Sequence, residues 1–176
     1  MRQITRRALL RLGAVMVAGH ALRAGFARAY EAHALRALTI PKLGLHEAPI
    51  VLLPIINGAW DETRLSAQAI GLLETTGRAP LDAFAPVLAA HVTLEGGVRG
   101  VFYGLSTLQR GDRVKLRTED GRLWRYRVIS RSLIRAHEVK RIYRPDGTRL
   151  LLLTCALWSD LQRRYTHRLL VEAAME

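Results

Sequence analysis

The chain has 176 residues, 49% of them apolar and 24% charged, which fits one globular domain with a tail and excludes a disordered polymer. Its single cysteine, Cys155, excludes an intramolecular disulfide and any multi-cysteine zinc site. The formal net charge of +12 taken alone suggests nucleic acid or an anionic membrane as partner.

That charge is unevenly placed. Residues 1–36 hold seven basic residues against one acid, and residues 37–176 hold the other 20 against 14, so each part carries +6. The head Thr5-Arg6-Arg7-Ala8-Leu9-Leu10-Arg11 resembles a twin-arginine export signal. Leu12–Leu22 is apolar apart from His20 and two glycines, too short for a comfortable membrane span of about 20 residues but suited to a signal-peptide core. Ala27-Arg28-Ala29 and Ala32-His33-Ala34 are candidate cleavage sites. Residues 1–36 are therefore read as an export signal or membrane anchor, with a surface amphipathic helix as the alternative. Cleavage and retention both stay open.

From residue 37 onward the texture is that of one folded domain, 37–176. Leu38–Leu43 and Ile50–Leu53 read as short strands punctuated by Pro41, Pro49 and Pro54. Asp61 is a helix N-cap, and Leu65, Ala69, Leu72 and Leu73 recur at helical spacing, which predicts a helix over 62–74. Pro86–Thr93 reads as a strand, and Val101, Leu105 and Leu108 fit one or two helical turns. Two alternating runs around Val114–Thr118 and Trp124–Val128 flank Asp120-Gly121, a strong hairpin signal. Residues 131–148 read as charged and turn-like. Leu150–Cys155 is a continuous apolar strand buried on both faces, 156–164 a polar loop, and Tyr165–Ala173 a last strand. Six to eight short strands with two short helices point to an all-β barrel or sandwich.

Few residues offer chemistry. A lone cysteine is ordinarily a small buried hydrophobe, yet Cys155 stands where a strand gives way to a loop, and reactive groups favour such edges. A nucleophilic thiol needs a nearby cation to favour its thiolate. His91, at the end of an apolar strand, and Arg168, thirteen residues after the cysteine, are the candidates. If 150–155 and 165–173 pair antiparallel, Arg168 lies beside Cys155. The bland reading makes His91 a rim residue and Arg168 a solvated one. His20, His33 and His46 have no partners at metal spacing, and His137-Glu138 lacks the second histidine of a zinc helix. Trp124 and Tyr126 with interleaved arginines have two readings, a base-stacking surface or core aromatics opposite a solvated arginine face.

Taken in order, these segments resemble the sortases, cysteine transpeptidases of bacterial cell surfaces. Leu151-Leu152-Leu153-Thr154-Cys155 is similar to the family's Thr-Leu-x-Thr-Cys segment, and Arg168 stands at the position of its arginine. His91 in Ala89-Ala90-His91-Val92 matches the Ala-Gly-His-Val segment. Val101-Phe102-Tyr103-Gly104-Leu105, Leu108 and Gly111-Asp112-Arg113-Val114 resemble the Val-Phe-x-x-Leu…Leu…Gly-Asp-x-Val run. Ile40-Pro41 resembles the opening strand. The resemblance covers about 38–173. Leu151 stands for the first Thr and Ala90 for the Gly, and the pattern is nearest the short sortases grouped as classes D, E and F.

The resemblance implies an eight-stranded β-barrel with short helices, preceded by a helical N-terminal segment. It implies catalytic residues His91, Cys155 and Arg168, with Thr154 aiding substrate binding, and no cofactor or metal ligand. The implied reaction cleaves a Leu-Pro-x-Thr-Gly-like sorting signal through a thioacyl intermediate. It then joins the threonine carbonyl to an amine of the cell wall or a pilin-like lysine. The implied setting is outside the cytoplasm, held to the membrane through the N-terminus, without nucleic acid. The alternative is a non-catalytic basic β-barrel that binds nucleic acid or another anionic surface.

Overall fold

A computed structural model describes residues 34–57 and 59–176. The region read as a signal or anchor lies outside the described residues except for 34–36. Among the described residues, ten strands occur in chain order: β1 Leu35–Ile40, β2 Leu45–Leu53, β3 Ile55–Ile56, β4 Ala59–Trp60, β5 Ile70–Leu73, β6 Val87–Ala89, β7 Arg113–Thr118, β8 Leu123–Arg135, β9 Arg149–Ser159 and β10 Arg164–Met175. Eight of them close a barrel in the order β1-β2-β5-β6-β9-β10-β8-β7, and β3-β4 is a small separate hairpin. Two neighbour pairs, β2 with β5 and β6 with β9, are parallel; the rest are antiparallel. The expected eight-stranded barrel with short helices is the fold, and its helices are 3₁₀ turns.

Strand periodicity sorts the apolar side chains into two cores. Leu38, Ile70, Leu88, Leu116, Tyr126, Leu150, Leu152 and Val171 fill the barrel interior with Phe102, Leu105 and Leu108 of the loop after β6. Leu53, Leu73, Val87, Leu151, Leu153 and Leu170 face outward and would meet water. They are covered by two segments outside the barrel. One carries Leu65 and Ala69 after the 3₁₀ turn Glu62–Arg64; the other is the 3₁₀ segment Ala136–Ile142, whose Ile142 is buried. β9 is therefore buried on both faces, as its unbroken apolar run indicates.

Three expectations fail, each for a physical reason. No helix spans 62–74: Glu62–Arg64 is one 3₁₀ turn and Ile70–Leu73 is β5, paired in parallel with Ile50–Leu53. A strand buried on both faces, preceded by apolar covering residues, counterfeits helical spacing. Asp61 is still the cap expected, its carboxylate accepting from the Thr63 N–H at 3.2 Å. Residues 131–135 are not turn-like but continue β8, whose Ile134 pairs with Arg168; the 3₁₀ segment comes after it. The loop expected over 156–164 is confined to the turn 160–163. β9 runs to Ser159 and β10 resumes at Arg164, and Trp158 packs edge-to-face on its cross-strand partner Tyr165 at 5.1 Å.

The two-sided burial of β9 has a measurable consequence. Leu151→Ala and Leu152→Ala remove side chains from different cores, both fully buried. Urea denaturation should show each variant destabilised by about 2–5 kcal/mol. A strand with one solvated face would lose stability at only one of the two positions.

Candidate active site

Three of the sequence-predicted site residues meet at one end of the outer face. Cys155 and Arg168 are direct partners in the antiparallel β9–β10 register. Directly opposed residues share a face. Cys155 comes after Leu151 and Leu153 at period two, and Arg168 precedes Leu170, so the shared face is the outer one. His91 lies just beyond β6, the other neighbour of β9. All three are half-buried and line one cleft of about 680 Å³. Its other walls are apolar, with Leu53, Leu65, Leu73, Leu153 and Val139, and Glu62 stands at its edge.

Thr154 points the opposite way. It is 4% exposed on the inner face, and its hydroxyl donates to the Ala90 carbonyl at 2.7 Å. The Ala90 N–H in turn donates to the Leu153 carbonyl at 3.2 Å. Thr154 thus pins the backbone immediately before His91 to the strand that carries Cys155. Its place is structural support behind the cleft, although it also touches the cleft wall.

Sequence reasoning missed further supports of His91. Gly100 packs against it so closely that a Cβ there would lie 2.2 Å from the His91 carbonyl oxygen. The Phe102 N–H donates to that same oxygen at 3.1 Å. The Thr93 hydroxyl and the Tyr165 phenol share a hydrogen bond of 2.6 Å, tying the segment after His91 to β10. The only sequence signal was Gly100 itself, placed just ahead of the Val101-Phe102 run.

The electrostatics of the thiol are mixed. Burial pushes the Cys155 thiol above its ordinary value, while the Arg168 guanidinium pulls it down and the Glu62 carboxylate pushes it up. Arg168 donates through Nη1 to the His167 carbonyl at 3.0 Å and to the Tyr165 carbonyl at 3.5 Å. Those bonds hold the guanidinium against β10. Among the described residues, no group of three or more His, Cys, Asp or Glu could hold a metal ion, and no helix is long and apolar enough to cross a membrane.

Residues 38–176 match a family model described as a sortase domain. The fold is similar to sortase A from Corynebacterium diphtheriae, at 20% identity and TM-score 0.63, over 81% of this chain and 60% of that one. It is also similar to sortase C-1 from Actinomyces oris, at 23% identity and TM-score 0.62, over 81% and 71%. A third similar structure is the sortase D5 transpeptidase from Clostridium perfringens, at 18% identity and TM-score 0.60, over 81% and 79%. This chain thus spans about 60% of the length of the Corynebacterium sortase A chain. No curated protein matches.

Two outcomes are expected from this geometry. Alkylation of Cys155 by iodoacetamide, measured against pH, should have its midpoint above that of a free thiol. At pH 7.5, Arg168→Gln should slow it, because the thiolate loses its cation, and Glu62→Gln should speed it, because a repelling carboxylate is gone. In thermal melts Gly100→Ala should lower stability by about 1–3 kcal/mol, since the added methyl must displace the His91 backbone.

Proposed function

The chain belongs to the sortase family, and on that premise we propose that it is a transpeptidase of the short D/E/F-like kind, with Cys155, His91 and Arg168 as its catalytic residues. The reading rests above all on one observation: Cys155 and Arg168 face each other across β9–β10 in a cleft that His91 also lines. The substrate is a Leu-Pro-x-Thr-Gly-like peptide. The apolar walls of the cleft suit its leucine and proline.

The Cys155 thiolate attacks the threonine carbonyl carbon, and a C–S bond forms as the carbonyl electrons move to oxygen. Arg168 holds that developing oxyanion with donors left over from its bonds to β10. The tetrahedral species collapses, the bond to the glycine nitrogen breaks, and the His91 imidazolium gives its proton to the departing amine. An amine of the cell wall, or a pilin-like lysine, then attacks the thioester carbon. Neutral His91 takes its proton, and the thiolate is released. Water in place of the amine gives hydrolysis. Thr154 contributes through the position of Ala90 and hence His91.

Catalysis needs thiolate and imidazolium together, so activity should show a bell-shaped pH profile. Burial raises the thiol, which lowers the thiolate fraction at neutral pH below that of an ordinary cysteine. The setting implied is extracytoplasmic, with residues 1–36 as signal or anchor and 37–176 as the catalytic domain.

The decisive measurement is intact mass after incubation with Leu-Pro-x-Thr-Gly and Leu-Ala-x-Thr-Gly peptides. A thioacyl adduct should form, be absent in Cys155→Ala, and pass to added triglycine. His91→Ala and Arg168→Ala should each cut turnover by about 100-fold or more. If no peptide forms an adduct and His91→Ala leaves thiol reactivity unchanged, the assignment is wrong.

A further inference from the structure

The proposed reaction leaves one conspicuous feature unused, on the β7–β8 hairpin that adjoins β10. In the β7–β8 hairpin, Arg113 pairs directly with Arg127, and Lys115 pairs directly with Arg125. Like charges placed directly opposite across two strands repel and destabilise the pairing. Here two such pairs occur in succession on the outer face, while Val114, Leu116, Tyr126 and Val128 between them are buried inside. The directly paired residues of the neighbouring strands carry no charge, and the one acid close by is Glu176, just after β10, which bridges Arg127. Lys115 is flanked by Thr39 of β1, and Arg127 by Ala174 of β10.

Nearby cations do have acids. Arg117 bridges Glu47 at 2.5 Å, Lys42 bridges Asp112 at 2.8 Å, and Arg127 bridges Glu176. Arg113, Lys115 and Arg125 have no ion pair among the described residues. They line a shallow hollow of about 540 Å³ with Arg127 and Glu176. A face that places like charges in register, and leaves three of them unmatched, is complementary to an extended anion.

We propose that Arg113, Lys115 and Arg125 on the outer face of β7–β8 form a docking surface for an anionic phospholipid bilayer. Two observations favour lipid over nucleic acid. First, no aromatic group lines the hollow that Arg113, Lys115 and Arg125 share. Tyr126 is fully buried, and Trp124 packs on the barrel interior with Arg122 over its ring at 5.0 Å. Single-strand binding draws on exposed stacking platforms, which this face lacks. Second, the chain joins the barrel at this hairpin. Leu35 pairs with Thr118 of β7, and the Glu119 N–H in the hairpin turn donates to the Ala34 carbonyl at 2.9 Å. The preceding sequence is an apolar run with arginines on both sides, a composition suited to a lipid surface. The basic face therefore borders the strand to which that segment is joined.

This surface does not depend on the transpeptidase reading, and its consequence for that reading is orientation. Along β8, Arg127 and Ile134, the partner of Arg168, are separated by seven residues, roughly 23 Å at strand rise. A barrel resting on its β7–β8 face near the point of chain entrance holds the Cys155 cleft toward the opposite end.

The test is flotation of the full chain with vesicles of 30% phosphatidylglycerol in phosphatidylcholine, against phosphatidylcholine alone. The ratio of the two affinities isolates charge from any apolar insertion. Arg113→Gln/Lys115→Gln/Arg125→Gln should reduce that ratio by about 100-fold, and Lys115→Gln alone by about fivefold. An equal loss of charge elsewhere, Lys140→Gln/Arg141→Gln/Arg144→Gln, should reduce it far less. The preference should fade at 0.5 M salt. The triple variant should melt no lower than the parent, since it loses repulsion, and should turn over soluble sorting peptide at the parent rate. The proposal is overturned if the triple variant keeps the parent's ratio, or if the control triple matches its loss. It is equally overturned if the hairpin variants lose affinity for single-stranded DNA and not for vesicles.

Discussion

The site depends on the register between β9 and β10. An antiparallel pair sends opposed residues to the same face, so the pairing of Cys155 with Arg168 is decided by which residues lie opposite each other further down. Leu153 opposite Leu170 and Leu151 opposite Glu172 hold that register on the outer face; Leu152 opposite Val171 holds it on the inner face. A slip of one residue would send the apolar side chains of the slipped strand to the wrong core and move Arg168 off the thiol. Two-sided burial of β9 makes such a slip costly from both directions. The apolar strand is thus the reason a charged group and a thiol can be kept opposed at its end.

The same strand organises the third group. β6 is only three residues long and pairs in parallel with β9, so little backbone pairing fixes the segment beyond its C-terminal end. His91 lies in that segment and is held by contacts of other kinds. The Thr154 hydroxyl holds Ala90, Gly100 and Phe102 hold the His91 carbonyl, and the Thr93–Tyr165 bond anchors the chain beyond. A short strand backed by side-chain bonds leaves the imidazole at the cleft rim, accessible to a substrate, yet restricted in position.

Much of this was legible in the residues. The alternation in 114–128 and the Asp120-Gly121 turn specify a hairpin with little room for error, and β7–β8 is that hairpin. The run Leu150–Leu153 announced a strand buried twice. It also suggested the conditional pairing of Arg168 with Cys155 that the barrel realises. The features that escaped have causes far off in sequence. Leu65, Ala69, Leu72 and Leu73 match a helical period by accident, because Leu65 and Ala69 cover the outer core and only Ile70–Leu73 is strand. The extension of the β9–β10 hairpin past Cys155 rests on Trp158 against Tyr165 and was hidden among polar neighbours. Gly100 and Glu62 act on residues nine and 93 positions away in the chain, and local pattern carries no trace of such contacts.

The charge of the barrel is divided along its strands. At one end, Arg168 is the cation beside a half-buried thiol, in a cleft whose remaining walls are largely apolar. A second cation there would draw the thiol further down, but a thiolate made too stable is a poorer nucleophile. At the other end, Arg113, Lys115, Arg125 and Arg127 crowd one surface at a cost in strand repulsion. That cost is bearable because water screens exposed charges, and it is relieved when an anion covers them. The cleft sets one guanidinium directly against its thiol, with Arg135, Arg163 and Arg164 in the adjoining hollow that Cys155 also lines, and the basic face sets several cations side by side. The charges named as acting on the thiol are those of Arg168 and Glu62, both on the cleft, so the chemistry there is set locally.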